Sequence, residues 1–263
     1  MDEPIKQSSF ATAARLLDAR TADATRSLYR ACRAVDDLAD QTGGAVGHNA
    51  LDAVADDLSG QSSARTQPGA VFQDLQSRYG MSLVPARLLV KTVQVDIRHR
   101  PFRSVAQLDR YAQGVAGTVG LMMADLFGVT DPLALRRASA LGRAMQMSNI
   151  ARDVIADAQL GRRYLPAEWC DVPPDHLRRS HMHHDPALRR AVAKTLGRAE
   201  RLYAIGLRGL PALPVTARVG VAAAAVSYRD IGRRIARRDF RVSERPNPGS
   251  VVRRAGLGAV GAL

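Results

Sequence analysis

The sequence is poor in several things, each of which would define a class of protein. Only two cysteines occur, Cys32 and Cys170, too few for the disulfide framework that stabilises small secreted folds. Aromatic residues make up 5% of the chain, with a single Trp, so the side chains that enrich strands are scarce and a barrel or sandwich is disfavoured. No run approaches the roughly 20 apolar residues that span a bilayer. Residues 1–10 carry no basic segment followed by an apolar stretch, so no secretory leader is expected. There is no repeat at solenoid spacing and no Gly-rich dinucleotide motif. These absences point to a soluble chain of a reducing cytoplasm, peripheral at a membrane at most.

What the chain has instead is a supply of side chains weighted toward Ala, Leu and Arg, which favour helices. Its 263 residues are 46% hydrophobic, enough to bury one substantial core. A single all-α domain over residues 1–245 is expected. Residues 246–263, with Pro246, Pro248 and four glycines, read as a loose tail. The net charge is +13, and the first 129 residues hold 14 Lys and Arg against 14 Asp and Glu, so the C-terminal half carries the whole surplus. Nucleic acid, anionic lipid headgroups and a polyphosphate substrate all fit that sign, and charge alone does not choose among them.

Apolar residues at three- and four-residue steps, Phe10, Ala14, Leu17, then Leu28, Ala31, Val35 and Leu38, predict two helices within 10–39. Gly43, Gly44 and Gly47, and the polar stretch 60–69, read as loops around a short helix at 50–58. Helical spacing resumes over 84–97 and 105–127, punctuated by Pro101. Gly114, Gly117 and Gly120 share a face of the second, which serves either close helix packing or room for a ligand. Asp131 and Pro132 form an N-cap and first-turn pair for the longest helix, 133–160, which stops at Gly161. After a Pro- and His-rich connection over 164–186, two more helices are expected at 187–207 and 214–235.

Two acidic patterns carry chemistry. Asp36 and Asp40 stand one turn apart on one helical face, with Arg33 a turn earlier. Like charges at this spacing destabilise a helix unless a cation neutralises them, although a solvated acidic surface is the commoner explanation of one such cluster taken alone. On the longest helix Gln146, Asn149, Asp153 and Asp157 recur at steps of three, four and four beside Arg152. A polar stripe within an Ala, Met, Ile and Val helix is costly to bury without partners. Two such faces across a cavity would suit Mg²⁺, which takes oxygen ligands from one or two carboxylates and completes its shell with water and substrate phosphate. A diphosphate leaving an allylic carbon needs metal and Arg to absorb its charge, and the remaining carbocation needs a dry apolar cavity.

The segments Tyr29-Arg30-Ala31-Cys32-Arg33-Ala34-Val35-Asp36-Asp37-Leu38-Ala39-Asp40 and Gln146-Met147-Ser148-Asn149-Ile150-Ala151-Arg152-Asp153 resemble the signatures of the squalene and phytoene synthase family. The likeness extends through Ser9-Phe10, Val115 to Met123, Gly161-Arg162-Arg163-Tyr164-Leu165-Pro166 and Tyr228-Arg229-Asp230-Ile231-Gly232, in order and over nearly the whole chain. It implies a single-domain isoprenoid synthase fold, a helical bundle around a deep central cavity with the two Asp motifs facing each other at its mouth. It also implies head-to-head coupling of two prenyl diphosphates through a cyclopropylcarbinyl diphosphate. By this resemblance Asp36, Asp40, Asn149, Asp153 and Asp157 hold Mg²⁺, or Mn²⁺ in its place. Arg33, Gln146, Asn149 and Arg152 contact the diphosphate or its waters. Ser9, Phe10, Tyr29, Tyr164 and Tyr228 line the reactive end, and Val115, Ala116, Gly117 and Gly120 border the prenyl channel.

The runs 120–123 and 161–166 look most like the bacterial phytoene type, which uses C20 substrates and ends by proton loss, so NADPH is not expected. A C15-using squalene or dehydrosqualene synthase is the alternative. A non-catalytic helical assembly protein is a second, against which the retained carboxylates argue. Ala156 stands where the second motif has an acidic residue, Ser8 where many relatives have a basic one, and Glu244-Arg245 where a Lys often follows. His176, His181, His183 and His184 read as a solvated loop, since no Cys or Asp joins them at zinc spacing. Asp56, Asp57 and Asp96 are left between surface and function, and Cys32 reads as a core thiol. The arginines 229, 233, 234, 237, 238 and 241 lack the interleaved aromatics of a nucleic-acid strip. They fit an anionic bilayer instead.

Overall fold

The computed structural model describes residues 17–39, 44–60, 62–179, 182 and 185–242. Among them there is no strand. The helices are α1 (Ala19–Asp37), α2 (Gly44–Asp57), α3 (Gln67–Tyr79), α4 (Leu83–Ile97), α5 (Val105–Ala112), α6 (Thr118–Leu126), α7 (Pro132–Gln159), α8 (Pro174–Leu177), α9 (Pro186–Gly206) and α10 (Val215–Arg237). A π-helical segment, Gln113–Gly117, joins α5 to α6, and a 3₁₀ segment, Leu207–Ala212, joins α9 to α10.

Helix α7 is the axis of the bundle, packed by α9, α6, α10, α8 and α5. Both of its ends follow from local chemistry. The Asp131 carboxylate accepts a hydrogen bond from the Ala134 backbone N–H at 2.7 Å, and Pro132 occupies the first turn, where its missing donor costs nothing. At the other end Gly161 adopts φ 72°. Its N–H donates to the Ala158 carbonyl at 3.0 Å and the Arg162 N–H to the Asp157 carbonyl at 2.9 Å, the paired bonds of a Schellman stop. Residues Ala144 to Ala151 are buried on every face, as a helix sheathed on all sides requires. On the far side α1 packs on α3 and α6, and α2 on α4.

Several expectations change. Helix α2 starts at Gly44, so Gly44 and Gly47, read as a loop, lie within it and Gly47 is buried, while Gly43 lies outside the described residues. Helix α3 occupies a stretch assigned no element beyond the polar loop. Thr66 caps it through a bond from the Gly69 N–H at 3.1 Å, Pro68 sits in its first turn, and Gly80 ends it at φ 70°. Of the two helices expected within 10–39, the second is α1, and the first falls outside the described residues together with the tail. The helix expected over 105–127 is broken by the π turn, in which the Thr118 N–H donates back to the Gln113 carbonyl. Tertiary packing accounts for that break. A Cβ on Gly114 would fall 2.0 Å from Thr92 Oγ1, one on Gly120 2.4 Å from the Ala138 carbonyl oxygen, and one on Gly142 2.2 Å from the Ala116 carbonyl oxygen. The glycine stripe therefore serves close approach between this segment, α4 and α7.

Candidate active site

The polar stripe of α7 is where the sequence places it, and it is buried: Gln146 and Asn149 are each 2% exposed, Asp153 6% and Asp157 8%. Asn149 donates from Nδ2 to Gln146 Oε1 at 3.5 Å, whereas its Oδ1 is buried with no hydrogen-bond partner. Arg152 forks onto its neighbour, Nε to Asp153 Oδ1 at 2.7 Å and Nη2 to Oδ2 at 2.5 Å. Burial opposes the charge on Arg152, but Asp153, Tyr228 and Asp157 outweigh that and raise its pKa. Tyr228, from α10, and Asp157 are thereby both placed around the guanidinium.

Asp36, on α1, is buried at 5%. Arg33 pairs with the neighbouring Asp37 at 2.9 Å. Helix α1 is not among the close neighbours of α7, so the two acidic helices stand apart across the bundle. Cys32, a turn before Asp36, is a buried thiol whose pKa is raised by burial first and by Asp36 second. Tyr29 is half-buried against the core. Asp40, Ser9 and Phe10 lie outside the described residues. Among the described residues no three acidic, His or Cys side chains converge as a metal cluster, His176 included, while His181, His183 and His184 lie outside them.

Below the stripe the same face of α7 turns apolar. Ala138, Gly142 and Met145 wall a cavity with about 750 Å³ of empty space including its open side. Met123, Phe127 and Leu213 close it from α6 and the chain beyond the 3₁₀ segment. Of the four residues expected along a prenyl channel, Ala116 and Gly120 line this cavity, and Val115 and Gly117 are buried beside it in the π segment.

A second polar centre was left undecided by the sequence. Asp96, in the last turn of α4, has a side chain only 13% exposed. It accepts from Tyr164 Oη at 2.6 Å and Tyr111 Oη at 3.3 Å. His99 Nδ1 lies 2.8 Å from its other oxygen and Arg162 Nη1 3.8 Å away. The Tyr111 and Tyr164 rings stack at 4.7 Å, and Phe102 meets both edge-on. The Schellman stop of α7 delivers Arg162 and Tyr164 to this carboxylate. Buried Arg163 then ties the following loop down through its Nη1, which donates to the Cys170 carbonyl at 3.0 Å, Asp171 Oδ1 at 2.9 Å and the Val172 carbonyl at 3.1 Å. The sequence marks Asp96 only by its place in the family resemblance, where relatives carry an acidic residue, and its spacing to His99 at i,i+3 has no repeat to single it out.

The donor set on α7 fits a hard cation. An orphaned amide oxygen costs about 1–3 kcal/mol when buried, and Asn149 Oδ1 has two carboxylates one and two turns further on. Oxygen donors of this kind are what Mg²⁺ or Mn²⁺ takes.

The squalene/phytoene synthase family profile matches residues 5–254. The chain belongs to that family. It is 34% identical over 242 residues to the 15-cis-phytoene synthase of Enterobacter agglomerans, covering 86% of this chain and 81% of that one. It is 36% identical over 239 residues to the 15-cis-phytoene synthase of a Paracoccus species, covering 86% and 77%. Among solved structures, a squalene synthase from Alicyclobacillus acidocaldarius superposes with a TM-score of 0.76 at 24% identity, over 89% of this chain and 90% of that one. The fold is therefore the isoprenoid synthase fold, as the motifs implied. Membership of the squalene/phytoene synthase family makes the chain a prenyltransferase-type enzyme, of a group that generally depends on a divalent metal.

Proposed function

We propose that the chain joins two geranylgeranyl diphosphates head to head into phytoene, through a cyclopropylcarbinyl (prephytoene) diphosphate, in carotenoid biosynthesis. One observation carries this reading: a single face of α7 walls an apolar cavity over Ala138, Gly142 and Met145 and then turns polar at Asn149 and Asp153. An amphiphile with a long hydrocarbon tail and a diphosphate head matches that order. The relatives above, named for the same product, support the C20 substrate.

In this reading Asp36, Asn149, Asp153 and Asp157 hold magnesium, with Asp40 from outside the described residues. When bound, the metal absorbs charge on the departing diphosphate. Ala156 is 5% exposed and supplies no carboxylate, so Asp157 serves that end of the stripe alone. Arg152 and Gln146 orient the diphosphate oxygens, and Arg33 reaches them by exchanging its Asp37 partner. Tyr29, Tyr164 and Tyr228 enclose the reacting carbons, while the apolar walls exclude water, which would quench a carbocation. Proton loss ends the reaction, so no reductant enters. Residues 1–245 act as one domain with 246–263 as its tail. The exposed arginines 233, 237 and 238 at the end of α10 hold the enzyme at an anionic bilayer, where both substrate and product reside.

The test is direct. Purified protein with magnesium receives farnesyl or geranylgeranyl diphosphate, with and without NADPH, and the hydrocarbon is identified. Phytoene from the C20 substrate without NADPH is expected. A C30 product alone, or no 1-1' linked product under any condition, overturns the proposal.

A further inference from the structure

The Asp96 centre lies outside both acidic faces, yet it abuts one of them. Arg162, whose side chain approaches Asp96, has its backbone N–H on the Asp157 carbonyl at 2.9 Å. The phenols of Tyr111 and Tyr164 feel the Asp157 charge as well as that of Asp96. Three chain segments meet here: the end of α4 gives Asp96 and His99, α5 gives Tyr111, and the turn after α7 gives Arg162 and Tyr164. His99 is held at both ends, with Nδ1 on Asp96 and Nε2 accepting from the Arg163 backbone N–H at 3.1 Å. A carboxylate this enclosed is expensive to keep charged. Burial pushes its pKa up, but the His99 hydrogen bond, the Arg162 charge and the Tyr164 hydroxyl outweigh it and hold Asp96 below the usual carboxylate range.

We infer that Asp96 is a positioning residue which takes the hydroxyl protons of Tyr111 and Tyr164 as hydrogen-bond donors, so that both phenols offer lone pairs and ring faces to the cation formed beside Asp157. The inference rests on the proposed function for the identity of that cation. Its chemistry is simple. A phenol has one O–H, and where that proton is spent on Asp96 the phenol cannot donate to a departing diphosphate or a stray water. A charge-assisted bond to a carboxylate also leaves the phenol oxygen and ring richer in electrons, and the ring face attracts a cation through its quadrupole. The 22° stacking of the two rings, with Phe102 against both, fixes their direction. Asp96 touches no reacting atom in this account and acts through the two phenols.

Asp96→Asn keeps the volume but removes the charge and adds an N–H₂ that competes for the phenol oxygens. With geranylgeranyl diphosphate and magnesium, kcat is expected to fall roughly 100-fold while KM stays within about threefold, the pattern of an interaction made in the transition state. Asp96→Glu should recover part of that loss. Ultraviolet titration of tyrosine gives a readout independent of turnover: without the Asp96 charge, the late-ionising phenols should titrate at lower pH. A kcat that follows only the folded fraction measured by circular dichroism overturns the inference, as does an unchanged tyrosine titration. Absence of hydrocarbon from the wild-type enzyme would instead count against the proposed function, and the tyrosine titration would still decide whether Asp96 holds the phenols.

Discussion

The Arg152 guanidinium closes in parallel on the carboxylate of the adjacent Asp153, with side chains only 10% and 7% exposed. A buried pair of this kind is costly to break from one side, about 3–5 kcal/mol, because the survivor is left charged and alone. Arg152→Ala should therefore destabilise the metal-free protein by that amount, and Arg152→Lys, which keeps the charge but loses the fork, by clearly less. A divalent cation on Asp153 would do the guanidinium's work. Magnesium should then raise the melting temperature of Arg152→Ala more than that of the wild type. Equal shifts in the two proteins would remove Asp153 from the metal site.

Asp57 gives a prediction about acid stability. Its carboxylate is 1% exposed and accepts from the Arg65 N–H at 3.0 Å, the Thr66 N–H at 2.8 Å and Thr66 Oγ1 at 2.5 Å. Burial opposes the charge, but these bonds outweigh it and lower the pKa. The stabilisation is complete above the unfolded value of ~3.9 and is lost as pH falls through the lower folded value. Asp57→Asn should cost about 1–3 kcal/mol at pH 7. Its gap from the wild type in urea unfolding should narrow only below about pH 4, and a gap indifferent to pH would contradict the assignment.

Two glycines within helices should respond to alanine in opposite directions. Helix propensity alone favours each change by about 1 kcal/mol. At Gly197 a Cβ meets only Arg201 Nη1, at 3.9 Å, so Gly197→Ala should stabilise. At Gly142 the Cβ would lie 2.2 Å from the Ala116 carbonyl oxygen, and the forced separation of α7 from the π segment should cost about 1–3 kcal/mol. Chemical unfolding midpoints measure both, and a stabilised Gly142→Ala would mean that the two segments do not pack as described.

Local signals were legible wherever they acted locally. Asp131-Pro132 and Gly161 bracket α7 in the sequence because capping and the Schellman stop need only neighbouring residues. The stripe from Gln146 to Asp157 is visible because helical spacing alone puts it on one face. Helix α3 was hidden by its polar entry, although Thr66, Pro68 and Gly80 are a capped start, a first-turn proline and a left-handed stop. The π turn was invisible for a different reason: close approach of α4 and α7 imposes it, and periodicity contains no such term. Asp96 could be singled out but not assigned a role for the same reason, since its partners come from three segments up to 68 residues away. The ion pair of Arg33 with Asp37 is likewise beyond the reach of spacing, which cannot rank two carboxylates one residue apart.

The cavity carries the last prediction, which concerns substrate length. Ala138 on α7 and Leu213 beyond the 3₁₀ segment both line it, and neither belongs to the polar stripe. Filling or emptying the cavity at these points should leave diphosphate chemistry alone and alter only the space for a tail. Changes of a few methylenes in an apolar pocket shift kcat/KM by about 10–200-fold for the substrate whose fit they alter. Ala138→Phe should thus depress kcat/KM for the C20 diphosphate at least tenfold while changing the C15 value by no more than about threefold. Leu213→Ala should shift the ratio the other way, toward the longer substrate. Rates measured for both diphosphates in both variants decide the matter. A parallel fall for the two chain lengths would show that the tail lies elsewhere in the bundle, and that this cavity is a packing defect beside the site.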